Sequence, residues 1–244
     1  MLYIIGLGRS DEKDISVKGL EIIQKAKEVY LEEYTSVMQV TKEKLENFYG
    51  KKIISADREF VEKQIETVFK KAKKEDIAFL VKGDAHTATT HVDIYLRARK
   101  QKIPIKTIFG PSILSAVGIT GLSLYNFGRV ISIPFHYENL ESAYKHFLTN
   151  KKNGMHSLFL LDLDPRHNKY LSIKEALNYL KNKGLNENTF VVGCARIGSY
   201  DQIIKAGKLK DTSKIDFGNP PYCIIVPGKL HFIEEEALQM LDRV

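Results

Sequence analysis

The chain is 244 residues long, 43% hydrophobic and 27% charged, and its 37 Lys and Arg against 30 Asp and Glu give a net charge of +7. That is enough for one large domain or two modest ones, of ordinary soluble globular composition. No apolar run approaches the roughly 18–20 residues that span a bilayer, and the lysines are scattered beside acidic residues rather than gathered in one block, a solvated surface more than a nucleic-acid footprint.

The chain opens on Leu2–Leu7, an apolar strand pattern ending in Gly-Leu-Gly. No basic region, apolar stretch and cleavage site stand in series there, so no signal peptide is expected. Ile15 to Lys27 places Val17, Leu20, Ile23 and Ala26 on one helical face, with Asp14 or Ser16 as N-cap. Val29–Glu33 reads as a strand, Lys42–Phe48 as a helix, Lys52–Ser55 as a strand and Val61–Lys74 as an amphipathic helix. Strand 77–81, helix 87–100 and strand Lys102–Phe109 complete the first half. Alternation of this kind predicts a mainly parallel sheet with helices on its faces. The small, apolar stretch from Gly110 to Gly121 breaks the pattern and is expected to be a short helix crossing between two domains. Beyond it, Arg129–Phe135, His156–Leu163, Thr189–Ala195 and Tyr222–Val226 read as strands, with helices at 140–151, Ile173–Lys183 and Glu234–Leu241. The second half is thus expected to be α+β with a mixed or antiparallel sheet. Cys194 and Cys223 fall inside its apolar strands, as buried free thiols of a reducing, cytoplasmic compartment would.

Candidate sites gather at strand ends. In open α/β sheets ligands bind outside the carboxyl ends of the strands, and the segment Gly83-Asp-Ala-His-Thr-Ala-Thr-Thr-His91 follows such a strand. Asp84 is either a helix cap or, with Thr87, Thr89 and Thr90 around it, the carboxylate of a polar ligand loop. His86 and His91 lack a third clustered ligand, so no metal site is expected and His91 reads as structural. Gly6-Leu-Gly8 invites a phosphate-binding reading, with Glu32 or Glu33 as the ribose acid, but the third glycine is replaced by Asp11 and the loop 9–14 is rich in carboxylates. A tight turn that lets a ligand approach the backbone at Gly8 is the alternative. Ser112, Ile113 and Ser115 form either a pocket wall or a tightly packed crossing helix. Asp162 and Arg196 stand at strand ends and would ordinarily pair as ions. No Gly-x-Ser-x-Gly elbow, Cys/His nucleophile pair or Walker loop occurs. What remains is group transfer from a bound cofactor, with the protein supplying position.

The blocks Tyr3-Ile-Ile-Gly-Leu-Gly8, Asp14-Ile-Ser-Val-Lys-Gly-Leu20, Glu33-Tyr-Thr-Ser36, Gly83-Asp84 with Ala88-Thr-Thr-His91, Pro111-Ser-Ile-Leu-Ser-Ala-Val-Gly118, Thr120-Gly-Leu-Ser-Leu-Tyr-Asn-Phe-Gly128, Gly154-Met-His-Ser-Leu158, Leu161-Asp162, Ala195-Arg196, Ala206-Gly207, Pro220-Pro221 and Val226-Pro-Gly-Lys-Leu-His231 are collinear. Together they resemble the diphthine synthase family of the tetrapyrrole-methylase-like class, from residue 1 to about residue 240. The resemblance implies a two-domain α/β fold with a mainly parallel amino-terminal sheet (1–110), a mixed carboxyl-terminal sheet (111–244), flanking helices and a cofactor cleft between the domains. It implies a homodimer that uses S-adenosyl-L-methionine, releases S-adenosyl-L-homocysteine, and methylates the amine of a 3-amino-3-carboxypropyl-modified histidine on translation elongation factor 2.

Carried over by motif, the cofactor contacts are Arg9, Asp84, Thr87, Ser112, Ile113, Leu161, Ile197 and Cys223; no residue is named as catalytic and no metal is implied. Two positions depart from the pattern: Ala85 stands where proline is usual, giving up its fixed φ, and Arg9 stands where an uncharged residue is usual, which leaves backbone contact as its role. The compact length resembles the archaeal branch, for which trimethylation is the expected outcome; eukaryotic relatives also make a methyl ester. The alternatives are a methyltransferase of the same fold acting on a tetrapyrrole or other small molecule, and a basic, ribosome-associated binding module.

Overall fold

A computed structural model of the chain describes residues 1–87, 91–137 and 140–241. The chain divides into two compact units, Met1–Ile113 and Leu114–Val244.

The first unit alternates strand and helix: β1 (Leu2–Gly6), α1 (Val17–Lys25), β2 (Glu28–Glu32), α2 (Lys42–Tyr49), β3 (Ile53–Ala56), α3 (Ile65–Ala72), β4 (Ile77–Val81), α4 (Val92–Lys100) and β5 (Ile105–Ile108). The strands form one sheet in the order β3-β2-β4-β1-β5, and every pair is parallel. Parallel strands need crossovers and are buried on both faces, which is why β4 is the unbroken apolar run Ile-Ala-Phe-Leu-Val. Ile23, Ala26, Leu45 and Tyr49, from α1, its C-cap and α2, pack with Ile5, Leu31 and Leu80 on one face. Residues Ile65, Val68, Phe69, Ile94 and Ala98 of α3 and α4 pack with Ile4, Tyr30 and Phe79 on the other. From β1 the chain therefore winds toward β3 over one face, and from β4 toward β5 over the opposite face. Adjacent strands β1 and β4 are thus the point where the winding reverses, and their carboxyl ends flank a crevice.

Four local readings are settled or changed. Ser16, not Asp14, caps α1, its hydroxyl accepting from the Gly19 amide. Val17 is 73% exposed, because the buried stripe of this helix runs through Gly19, Ile23 and Ala26 and Val17 lies about 200° round from Gly19. The helix expected from Val61 begins instead as a π-helical turn, Phe60–Gln64, before α3. The expected helix start at Thr87 is replaced by a turn there, and α4 opens at Val92; Ala88, Thr89 and Thr90 lie outside the described residues.

The second unit carries α5 (Ile113–Ala116, beginning on the last residue of the first unit), 3-10 turns at Val117–Thr120 and Leu124–Asn126, β6 (Ile131–Ile133), α6 (Ser142–Lys152), β7 (Ser157–Leu161), the short ribbon β8 (Leu163–Asp164) and β9 (Lys169–Tyr170), α7 (Ile173–Asn182), β10 (Phe190–Ala195), β11 (Ile203–Lys208), α8 (Leu209–Thr212), β12 (Tyr222–Val226) and α9 (Phe232–Met240). Its main sheet runs β11-β10-β12-β7-β6, antiparallel except for the β6–β7 pair, and is therefore mixed. Phe147 of α6 and Ile173, Ala176, Leu177 and Leu180 of α7 fill the core with Phe159, Val191 and Ile224 of the sheet. A capping box fixes the start of α7: Ser172 Oγ accepts from the Glu175 amide, and Glu175 accepts from the Ser172 amide at 2.8 Å. Strand β11 and helix α8 were not anticipated.

Candidate functional site

The crevice floor in the first unit is made of backbone. After β1, the Gly8 amide donates to the Gly83 carbonyl at 3.1 Å, and the Gly83 amide returns a bond to the Gly8 carbonyl at 2.7 Å. Both glycines are left-handed, with φ of 91° and 82°, a conformation that lets two sharp turns face one another. Gly6 is the third member. A Cβ there would sit 2.7 Å from both the Gly110 nitrogen and the Gly83 carbonyl oxygen, so the ends of β1, β4 and β5 converge only because the position has no side chain.

Asp14 closes the first loop, accepting from the Arg9 amide at 2.9 Å and the Ser10 amide at 2.6 Å. Those amides are the donors a pyrophosphate would need, and a carboxylate already occupies them. The ribose acid also drops out. Glu32 is fully buried and accepts from the Tyr34 and Thr35 amides at 3.1 and 2.9 Å, the Thr35 hydroxyl at 2.5 Å and the Lys82 amide at 3.3 Å. Glu33 meets the Ser55 hydroxyl at 2.9 Å. Glu32 is the anchor of the loop after β2, and the tight-turn reading of Gly8 is the one the geometry supports.

Asp84 does not cap α4, whose N-cap is His91. Its Oδ1 instead accepts from the His86 amide at 3.0 Å, the Thr87 amide at 3.0 Å and the Thr87 hydroxyl at 2.7 Å, while Oδ2 accepts from the Gly110 amide at 3.3 Å. Burial works to raise this carboxyl; the bonds from Thr87, His86 and Gly110 outweigh it and hold the group below the usual aspartate range. These bonds supply the rigidity that proline would have given at Ala85, whose methyl is buried in the core under β4. Ser112 and Ile113 follow Gly110 after Pro111 and are half-buried. The first unit thus brings Arg9, Asp84, Thr87, Ser112 and Ile113 to a single sheet edge.

The two histidines of the segment turn away from chemistry. His86 Nε2 meets the Thr107 hydroxyl at 2.9 Å and its ring stands edge-on to Tyr95. His91 is fully buried between Tyr34 and Phe79, with ring centroids 6.0 Å from each, and burial lowers its basicity. Among the described residues, no group of three His, Cys, Asp or Glu side chains is placed to hold a metal ion.

In the second unit, the carboxyl ends of β7 and β10 and the amino end of β12 lie together. Leu160 is the register partner of Cys223, which is in turn the partner of Cys194; both thiols are buried and neither is in a disulfide. Leu161 and Ile197 therefore stand at the same edge as Cys223. Arg196 organises that edge. It is 5% exposed and takes a left-handed φ of 51°. Its Nε donates to Asp201 Oδ2 at 2.7 Å, one terminal nitrogen to the Asp201 carbonyl at 2.7 Å, and the other to the carbonyls of Phe217 (2.9 Å) and Asn219. The expected Asp162–Arg196 ion pair is not made, because Arg196 turns to Asp201 and Asp162 accepts instead from the amides of Phe135 (3.1 Å) and Leu163 (3.0 Å). One guanidinium thus ties the loop that carries Ile197 to the turn that leads into Cys223.

Sequence reasoning found the residues at the edges and named Gly6, Asp14, Gly110 and Arg196, but not the part each plays in shaping those edges. A glycine after each of three strands was the available signal for the first and third.

A family model described as tetrapyrrole (corrin/porphyrin) methylases matches residues 1–212. The diphthine synthase of Methanocaldococcus jannaschii is 44% identical across 99% of this chain and 98% of its own length. The diphthine methyl ester synthase of Mus musculus is 42% identical across 99% and 96% respectively. A crystal structure of a diphthine synthase superposes with a TM-score of 0.93 at 36% identity, covering 100% of this chain and 96% of the other.

Proposed function

Since the chain belongs to the diphthine synthase branch of the tetrapyrrole (corrin/porphyrin) methylases, and is a methyltransferase of diphthamide biosynthesis, we propose that its acceptor is the amine of the 3-amino-3-carboxypropyl-modified histidine of translation elongation factor 2. The methyl donor would be S-adenosyl-L-methionine, held by Arg9, Asp84, Thr87, Ser112 and Ile113 of the first unit and Leu161, Ile197 and Cys223 of the second. The observation that carries this reading is the glycine-lined crevice at the reversal point of the sheet, where Asp14 occupies the amides a phosphate would use. A phosphate-free cofactor with a net positive charge suits a crevice that carries the Asp84 carboxylate.

Bound there, the donor's sulfonium supplies an activated methyl group. The chain's part is to hold and align: Asp84 and the paired Gly8 and Gly83 backbones fix the floor, and the Arg196-tied loops fix the second edge. No side-chain nucleophile is needed for an in-line displacement, and alignment alone is worth up to ~7–11 kcal/mol of barrier. The near 40% identity to diphthine synthases over the whole chain sets aside a tetrapyrrole substrate.

We place the protein in the cytoplasm with its substrate, consistent with two buried cysteines that form no disulfide; no helix of the described residues is long and apolar enough to cross a membrane. We further propose that it works as a homodimer, for which exposed Tyr125, Phe232 and Ile233 of the second unit offer apolar surface. Incubation with methyl-labelled S-adenosylmethionine and elongation factor 2 carrying the unmethylated intermediate tests the function. Label on the factor supports it, and label only on a porphyrinoid, or no transfer, overturns it.

A further inference from the structure

The loop between β10 and β11 holds one aromatic residue that no other described residue covers. Tyr200 is 101% exposed, yet the backbone on both sides of it is fixed. The Ser199 amide donates to the Arg196 carbonyl at 3.0 Å and the Gln202 amide to the Ser199 carbonyl at 3.2 Å. Ser199 Oγ lies 2.7 Å from the Arg196 carbonyl and 2.7 Å from Asp201 Oδ1, and the Gly198 amide donates to Gln202 Oε1 at 3.0 Å. Arg196, buried and left-handed, locks Asp201 from beneath. A bulky residue in that conformation persists only where the surroundings over-determine it, and such positions cluster where geometry serves binding. The rigid object displayed here is an aromatic ring in water.

From this we infer that Tyr200 is a docking residue for the polypeptide that carries the acceptor side chain. The inference rests on the functional reading above, since Tyr200 stands three residues beyond Ile197 on the loop that Arg196 ties to the turn before Cys223. Three observations favour a macromolecular occupant over a small one. Small ligands are enclosed, with most of their surface buried in a concave site, and a fully exposed ring cannot enclose anything. A polypeptide surface can cover it from outside. Tyrosine also suits the task chemically: it brings a large apolar face and one hydroxyl with only two rotatable bonds, which is why it recurs as an anchor in protein interfaces. The loop is already ordered before the partner arrives, so docking loses little further freedom.

The test uses steady-state methyl transfer to elongation factor 2 bearing the unmethylated intermediate, with Tyr200→Ala and Tyr200→Phe. The expected result for Tyr200→Ala is a KM for the factor raised about tenfold or more, with kcat and calorimetric affinity for S-adenosylmethionine unchanged. Tyr200→Phe restores most of the loss. Unchanged KM in Tyr200→Ala overturns the assignment, and so does a loss that falls on cofactor affinity instead. Wild-type protein that binds no S-adenosylmethionine would sink the functional reading itself, whereas wild-type binding and transfer with an unmoved KM sink only the docking role.

Discussion

His156 Nε2 lies 3.0 Å from Glu234 Oε1, with both side chains buried and the two residues 78 positions apart in the chain. His156 Nδ1 accepts from the Gly228 amide at 2.9 Å, which leaves the proton on Nε2 to be donated to the carboxylate. Glu234 also accepts from the Ser123 amide (2.8 Å), the Asn126 side chain (3.3 Å) and the His231 amide (2.8 Å). Three motif blocks, Thr120–Gly128, Gly154–Leu158 and Val226–His231, are therefore joined through one carboxylate.

That carboxylate makes the fold acid-sensitive in a defined way. Burial works to raise the Glu234 carboxyl, and the bonds from His231, Ser123, His156 and Asn126 prevail, bringing it from an ordinary 4.5 down to about 2. A folded-state value below the unfolded one stabilises the fold above pH 4.5, and that contribution is lost as pH falls toward 2. Glu234→Ala, which strands several buried donors, is expected to cost about 3–5 kcal/mol at neutral pH. The gap between the thermal melts of wild type and variant should narrow as pH drops from 4.5 toward 2, and a gap that stays constant with pH would show that ionisation of Glu234 is not its source.

Asp84→Asn probes the crevice. The amide can keep the acceptor role toward His86 and Thr87, but its NH2 group would confront the Gly110 amide, donor against donor. We expect S-adenosylmethionine to bind about 10–100-fold more weakly by calorimetry, with circular dichroism unchanged. Affinity equal to wild type would remove Asp84 from the cofactor site.

Gly110→Ala separates close approach from backbone conformation. Its Cβ would lie 2.7 Å from the Gly6 carbonyl and from the Gly83 oxygen, all of it backbone that cannot step aside. The expected cost is about 1–3 kcal/mol or more, together with lost cofactor binding. Gly50→Ala is the comparison. There the φ is 67° but nothing lies within 4 Å, so the cost should stay near ~1 kcal/mol with binding intact. Denaturant midpoints and calorimetry on both variants check this pair of outcomes.

Arg196→Lys keeps the charge and is nonetheless expected to be damaging. A lysine can meet Asp201, but its single ammonium cannot also reach the carbonyls of Phe217 and Asn219 from one fork. Both loops at the edge of the second sheet should loosen, with hydrogen exchange rising at 197–202 and 217–221 and stability falling by about 2–4 kcal/mol. Protection unchanged in one of the two loops would show that Arg196 does not couple them.

How much of this was legible follows physical lines. Strand β4 and strand β12 fall on the residues the sequence marks, because a strand buried on both faces is written as an unbroken apolar run. Strand β11 escaped because an edge strand pairs on one side only, and Ile203–Lys208 mixes lysines and a glycine with its apolar residues. The π-helical turn at Phe60–Gln64 shares its apolar positions with an α-helix and leaves no separate signature. Asp84 announced itself by standing after a strand and a glycine. Asp14 did not, since its partners are amides four and five residues back and its role exists only once the loop has closed. His156 and Glu234 gave no local hint at all, because neither has a partner nearby in sequence that predicts the other.

The convergence of Gly6, Gly83 and Gly110 has a consequence for how this protein can be dissected. An alanine scan reads what a side chain contributes by taking it away, and the floor of the crevice has none to take. Such a scan would pass over the most constrained part of the molecule and report only its rim. Gly6 and Gly110, where an added methyl would meet backbone at 2.7 Å, help define the site, so mutagenesis by addition, rather than by deletion, is what maps it.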